Sequence, residues 1–490
     1  MSTRPVVHWF RSDLRLADNP ALAAAVDSGA PLVLVYVLDE TAAGRWAPGA
    51  AARWWLHHSL AALTHDIEMR GGRLLLLRGA ARGVIADLVR ETGAGMVTCS
   101  RAHEPWSGEL ERQLKLDLEG MGVALKRYAG RLLHEPESIR TQAGDPYRVY
   151  TPFWRAVLGA GAPRRPSAAP QALKPLRAQP DGVSLADLKL QPTAPDWAGG
   201  LRASWRPGED GARERLGRFL EADVARYHEL RDRPDTAGTS RLSPHLAFGE
   251  ISPSTVWHAA RARESVDPAA ARGVEVFLKE LVWREFSAHL LHHFPTLPER
   301  PLRADLDGFP WREDATQLAA WQRGRTGYPI VDAGMRELWA TGYMHNRVRM
   351  IVASFLIKDL MIPWQHGEAW FWDTLVDADL ASNAASWQWV AGTGADAAPY
   401  FRVFNPVTQG IKFDPDGAYV RRWVPELAEL PAPAIHAPWE AAAAVLAAAG
   451  VRLGQSYPLP LVDHALARRR ALEAYGACKQ ERAAGGSAFR

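Results

Sequence analysis

Over its first third the chain alternates short apolar runs with longer stretches in which apolar residues recur every three or four positions. The runs Val6–Phe10, Pro31–Leu38, Leu74–Leu77, Met96–Cys99 and Val123–Tyr128 read as strands. The stretches Pro20–Asp27, Ala51–Met69, Ala80–Glu91 and Gly108–Leu118 read as helices. Such alternation predicts a parallel sheet covered by helices. Apolar runs without polar alternates predict strands buried on both faces. The expectation is a Rossmann-like α/β domain over residues 1–132, built on a parallel five-stranded sheet.

The pattern then changes twice. Residues 133–205 read as an interdomain linker, and from Leu158 to Gly200 the chain is rich in Pro, Ala and Gly with little periodicity. That stretch reads as a connector draped on the surface. Beyond it, Arg213–Tyr227, Val274–His293, Gln317–Trp321 and Asp332–Leu360 carry apolar residues at helical spacing, with no strong strand. The expectation for 206–490 is an all-α domain, and no internal repeat is visible.

Composition adds limits. A chain of 490 residues suits more than one domain. A net charge of +3 is too mild to announce a nucleic-acid partner, which needs a local patch. Two cysteines, Cys99 and Cys478, make neither a disulfide framework nor a zinc set. Met1–Val7 lacks the apolar run of a signal peptide. Met350–Ile362 holds Lys358 and Asp359, and is too short and too charged to span a bilayer. The expectation is a soluble, cytoplasmic monomer with no membrane association. Tryptophan is abundant, at 20 residues, and many of these should be core.

Several motifs admit two readings. Gly392-Thr-Gly394-Ala-Asp-Ala397 fits a dinucleotide fingerprint by letter, but no strand leads into it, so a Rossmann NAD site there is rejected. No Walker A, HExxH or Cys/His cluster is present, and no metal is expected; His57, His58, His289, His292 and His293 read as solvated or satisfied. The hydroxyls of Thr239-Ser-Arg-Leu-Ser243 could donate to a phosphate or be ordinary helix caps. Glu280 and Trp283 share one helix face; Asn346 and Met350 share another, with Arg347 and Arg349 pointing elsewhere. These four could line a mixed pocket or make buried hydrogen bonds that only stabilise the fold. Asp377, Asp379 and Asn383 follow closely in the chain, and Arg349 could pair with one of the carboxylates.

Taken together these segments resemble the photolyase/cryptochrome family over almost the whole chain. His8-Trp-Phe-Arg-Ser-Asp-Leu-Arg-Leu-Ala-Asp-Asn-Pro20 is similar to its N-terminal signature. Thr239–Ser243, Trp321–Arg336, Met344–Met350 and Trp387–Arg402 are similar to its flavin-domain signatures. Leu132–Glu137, Tyr147–Trp154 and Trp54–Leu60 resemble the bacterial class III branch of cyclobutane pyrimidine dimer photolyases.

The resemblance implies FAD, active in its reduced form, and a light-driven lyase that repairs pyrimidine dimers in DNA of any sequence. An electron passes from excited reduced FAD to the flipped-out dimer, the ring splits, and the electron returns. It implies cofactor contacts at Tyr227, Thr239, Ser240, Arg241, Leu242, Ser243, Arg349, Asp377, Asp379 and Asn383, the last facing the flavin N5. It places Trp283 and Trp389 around the dimer, Glu280 and Asn346 in hydrogen bonds to it, and Met350 beside it. Trp387, Trp364 and Trp311 match an electron-transfer chain, with Trp339 a branch or core packing. Arg231, Arg347 and Arg402 match phosphate contacts. Asn346 and Met350 replace the histidines of (6-4) photolyases, which argues for cyclobutane dimers; a cryptochrome photoreceptor is the other alternative, disfavoured by the short remainder after Lys412. Arg101–Trp106 departs from the Asn-Glu pair of the class I antenna site, so 5,10-methenyltetrahydrofolate at another site is preferred, with a deazaflavin or no antenna as alternatives.

Overall fold

The structure, a computed structural model, describes residues 4–303, 308–396 and 401–486, with 481–486 as backbone alone. Ala397, the Ala398–Tyr400 part of the last signature, and the chain end beyond Gly486 lie outside the described residues. The chain forms two compact units, 1–228 with 240–295 and 376–381, and 229–239 with 296–375 and 382–490.

The first unit contains a five-stranded parallel sheet of β1 (Val6–Phe10), β2 (Leu32–Leu38), β3 (Leu74–Arg78), β4 (Met96–Ser100) and β5 (Ala124–Tyr128), in the order β3-β2-β1-β4-β5. The central strands are buried along their length because they are apolar on both faces. β5 departs from that expectation. Its sequence ALKRY is mostly exposed, as suits an edge strand that presents Lys and Arg to solvent. Two apolar layers flank the sheet. One gathers Phe10, Leu34, Leu56, Leu60 and Ile67; the other gathers Val7, Val35, Ile85, Val97 and Leu114.

The connector is not merely draped. Leu173, Leu188 and Leu190 are buried in the first layer. Leu32 N–H donates to the Lys174 carbonyl at 2.8 Å and Leu176 N–H to the Leu32 carbonyl at 2.9 Å, so the chain beside Pro175 runs parallel to the start of β2. Isolated leucines among prolines carry no period, and a single bridge leaves no pattern in the sequence.

The N-terminal signature is a polar knot at the end of β1. The Arg15 guanidinium, 1% exposed, donates to the carbonyls of Asp18, Gly130 and Gly249. Gly249 has φ of +68°, and a Cβ there would lie 2.2 Å from the Ser12 carbonyl oxygen, so only glycine fits. Asp13 accepts from Ser100 Oγ at 2.6 Å, and Asn19 caps the helix Pro20–Asp27 through Leu22 N–H.

The described part of the second unit is almost wholly helical. The long pattern Asp332–Leu360 is not one helix. It divides into Pro329–Thr341, Asn346–Ser354 and a π-helical turn Phe355–Asp359. Gly342, at φ +66°, ends the first with its N–H on the Leu338 carbonyl. His345 opens the next, its Nδ1 accepting from Arg347 N–H at 3.2 Å. The apolar spacing survives the break, which is why periodicity reads straight through it.

Candidate functional site

Within the first unit, Ser240–Ser243 leads into the helix Ser243–Ala247. The helix cap is Leu242, whose side chain bonds no first-turn N–H, while Ser240 Oγ accepts from Leu242 N–H at 3.4 Å, so none of these hydroxyls is an ordinary cap. Ser252 is a true cap by contrast, accepting from Thr255 N–H at 2.9 Å. Arg241 sits at φ +50°, a conformation that disfavours a side chain and persists only where its surroundings hold it. Its guanidinium lies 4.5 Å from the centre of the Trp205 ring. Ser243 Oγ donates to Asp377 Oδ2 at 2.6 Å, which brings together two residues 134 positions apart. Tyr227 is buried edge-on against Phe219 and Phe277. Hydroxyls, a strained arginine and a carboxylate placed this way fit the phosphate and polyol parts of a dinucleotide.

Glu280 and Trp283 lie half-buried on the helix Ala271–His293. Trp283 stacks on Tyr150 at 3.7 Å with an angle of 6°, and Tyr150 is itself fixed by a 2.5 Å bond from its hydroxyl to the Lys279 carbonyl. The indole is thus a rigid plate backed on one side. Tyr150 was not singled out from sequence. It lies in the Tyr147–Trp154 motif, but nothing in that motif says which residue meets the helix about 130 positions on. Also missed was Glu285, whose Oε2 accepts from Leu133 N–H at 2.7 Å and whose carboxyl is pushed up to about 7 by burial.

Asp379 lines a cavity of about 30 Å³ with Glu104, Arg131 and Arg284, room for water rather than a ring system. Burial pushes Glu104 up, but the charge and hydrogen bonds of Arg131, at 3.0 and 3.2 Å, outweigh it and hold the carboxyl well below the usual carboxylate range. Glu104 is committed to that pair.

Within the second unit, Asn346 is exposed at the first position of its helix, so a buried structural bond is not its role. Met350 is half-buried, and Arg347 does not point away from it: Arg347 Nη1 lies 3.7 Å from Met350 Sδ, one turn on. Arg347 also pairs with Asp232 at 2.9 Å and lies 4.6 Å from the Phe413 ring centre. Arg349 Nε donates to the Met344 carbonyl at 2.7 Å. Arg231 and Thr239 are half-buried on the segment 229–239, and Arg402 is exposed, its carbonyl accepting from Lys358.

Asn383 and Trp387 lie on the helix Leu380–Ala391, with Trp389 half-buried beyond them. Asn383 Nδ2 donates to the Glu368 carbonyl at 3.0 Å, which turns its amide oxygen the other way as an acceptor. That orientation fits a reduced, protonated flavin N5. Trp387 and Trp364 are buried and Trp311 is half-buried. Trp364 opens the helix Trp364–Thr374, and Gly367 on that helix lets Trp387 press against its backbone: a Cβ at Gly367 would sit 2.1 Å from the indole. Trp339, 63% exposed, stacks on Trp370 at 6.0 Å, so core packing is not its role. Gly392 closes the helix Leu380–Ala391, and the N–H groups of Gly392, Thr393 and Gly394 all turn back to the Gln388 carbonyl. A phosphate loop needs such groups at a helix start, so the fingerprint is a helix stop.

A family model described as the FAD binding domain of DNA photolyase matches residues 277–477, and one described as DNA photolyase matches residues 6–172. A deoxyribodipyrimidine photo-lyase of Agrobacterium fabrum is 52% identical over 98% of this chain and 99% of its own. The chain belongs to the photolyase/cryptochrome family. Among its family relatives, cryptochrome-1 of Arabidopsis thaliana is 40% identical over 98% of this chain and 71% of its own. The crystal structure of a bacterial class III photolyase from Agrobacterium tumefaciens has a TM-score of 0.95 at 53% identity, covering 98% of both chains. The family fold of an α/β domain with a helical FAD-binding domain is the one described above.

Proposed function

We propose that this chain is a light-driven lyase that splits cyclobutane pyrimidine dimers in DNA. The likeness to a deoxyribodipyrimidine photo-lyase over nearly the full length of both chains carries this reading. Bound in its reduced form, FAD would supply a photoexcited electron that returns once the ring has opened. The hydroxyls of Thr239, Ser240 and Ser243, the Arg241–Leu242 turn, and Tyr227, Arg349, Asp377 and Asp379 would hold it. Asn383 would accept a hydrogen bond from N5.

The remaining residues act on DNA. A dimer must leave the helix to meet a buried flavin, and its weak pairing lowers that cost. Trp283, backed by Tyr150, and Trp389 would stack on it. Glu280 and Asn346 would hydrogen-bond its carbonyls and steady the charge it receives. Met350 places an apolar thioether where (6-4) repair needs an acid, which favours cyclobutane dimers over the (6-4) reading. Arg231, Arg347 and Arg402 would grip phosphates without reading sequence. Trp387, Trp364 and Trp311 would return electrons to an oxidised cofactor. An antenna folate, 5,10-methenyltetrahydrofolate, would bind away from Glu104, whose carboxylate is engaged by Arg131.

Illumination of the reduced protein with thymine-dimer DNA tests the reading. Dimers should disappear, and Glu280→Ala should slow their loss by one or more orders of magnitude while FAD stays bound. Dimers left intact by the illuminated wild type would end the repair assignment.

A further inference from the structure

Two of the three arginines at phosphate-contact positions share one carboxylate. Asp232 Oδ1 lies 2.9 Å from Arg347 Nη2 and 3.9 Å from Arg231 Nε. Arg347 is held on further sides by the Phe413 ring at 4.6 Å and Met350 Sδ at 3.7 Å. Its backbone N–H is tied to His345 Nδ1 at 3.2 Å. The side chains of Asp232, Arg231 and Arg347 are 34%, 23% and 19% exposed, while Oδ1 itself is buried and meets the two guanidinium groups by charge, outside hydrogen-bond geometry. An ion pair between partly exposed side chains contributes little to stability, which leaves its geometry to be explained by what the arginines do.

From this we infer that Asp232 is a specificity-determining residue: it holds Arg347 and Arg231 to one orientation, suited to the backbone around an extruded dimer and poorly suited to regular duplex. The inference rests on the proposed phosphate contacts of these arginines. Two effects of the carboxylate act in the same direction. It cancels positive charge that would otherwise attract any phosphate, and so weakens sequence- and damage-independent binding. It also fixes a guanidinium whose planar fork recognises a phosphate only from a narrow set of directions, and so removes ordering that the damaged complex would otherwise have to supply. Phosphates of straight duplex follow a regular path, whereas extrusion of two linked bases bends and spreads that path. A caged fork can match one of these geometries; a loose fork serves either.

The test compares affinity for thymine-dimer duplex and for the same duplex undamaged, in the dark, with FAD-loaded protein. Asp232→Asn keeps the shape and removes the charge. It should tighten undamaged binding by roughly 3- to 10-fold and steepen its log K against log salt slope by up to about one unit for each released arginine. Dimer binding should not tighten in step, so the damaged-to-undamaged ratio should fall about 10-fold or more. Asp232→Glu, which keeps the charge on a longer arm, should restore the undamaged affinity but only part of the ratio. Where Asp232→Asn loses FAD, Asp232→Ser serves. An unchanged ratio, whether both affinities rise, fall or stay, overturns the inference. Arg347→Gln separates the premise: if it alters neither affinity, Arg347 does not contact DNA and the reading beneath the inference fails on its own account.

Discussion

Arg15 and Arg347 show two ways of using a guanidinium. In the first unit Arg15 is 1% exposed, and its Nε, Nη1 and Nη2 all donate to backbone carbonyls of Asp18, Gly130 and Gly249. In the second unit Arg347 is held by a carboxylate oxygen, a ring face and a sulfur, and its buried Nε has no hydrogen-bond partner among the described residues. Every guanidinium nitrogen of the first arginine donates to the fold. The second keeps donor capacity while its position is restrained. A polar cluster that is fully committed serves stability; one that is restrained yet incompletely committed is ready for a ligand.

The contrast can be broken by substitution. Arg15→Ala should have the largest effect, on the order of 4 kcal/mol of unfolding free energy, because it strands several buried carbonyls at once. Chemical unfolding followed by circular dichroism measures it, and a loss below about 1 kcal/mol would dissolve the distinction.

A pH titration comes next. Burial lowers His345 from its ordinary 6.5 to about 4, with Asp232 opposing and Arg349, Arg347 and Arg231 reinforcing. Between those values the unfolded chain binds the proton and the folded one does not, so stability falls as pH drops from about 6.5 to 4 and is unaffected above that window. The expected loss is roughly 3 kcal/mol. His345→Asn keeps an acceptor for Arg347 N–H and removes the titration, so its stability should be flatter in the same window. A slope as steep as wild type would move the acid sensitivity to another group.

Trp283→Ala should weaken dimer-DNA binding by ~10- to 100-fold, matching the loss of one base stack of about 1–3 kcal/mol. Unchanged affinity would remove Trp283 from the lesion. The smallest effect is expected on the stability of Arg347→Gln, within about 1 kcal/mol, since a half-exposed pair stabilises little. A loss equal to that of Arg15→Ala would make both arginines structural.

The sheet was legible because apolar strands buried on both faces leave uninterrupted runs such as Leu32–Leu38. The edge strand β5 pairs with β4 and packs Leu125 against one apolar layer, though most of it is exposed. Helices were legible as a class but not at their joints, since Gly342 divides two helices without disturbing the apolar spacing on either side. The site residues that lie on one helix, Glu280 with Trp283 and Asn346 with Met350, could be grouped from spacing. Tyr150 against Trp283 and Asp232 against Arg347 could not, because such contacts join residues more than 100 positions apart and leave no local trace. Family resemblance named the arginines but said nothing of the carboxylate that restrains them.

Gly367 carries a consequence of another kind. Electron tunnelling between rings decays exponentially with the gap between them, so an atom that pushes two partners apart acts on a rate rather than on an affinity. The missing methyl at Gly367 lets the helix that begins at Trp364 lie against Trp387, where a Cβ would stand 2.1 Å from the ring. Ordinary carbon contact is about 3.5–4.0 Å, so any larger residue would force the helix back by more than an ångström. A residue with no side chain and no charge thereby sets how closely the helix Trp364–Thr374 lies against the Trp387 ring.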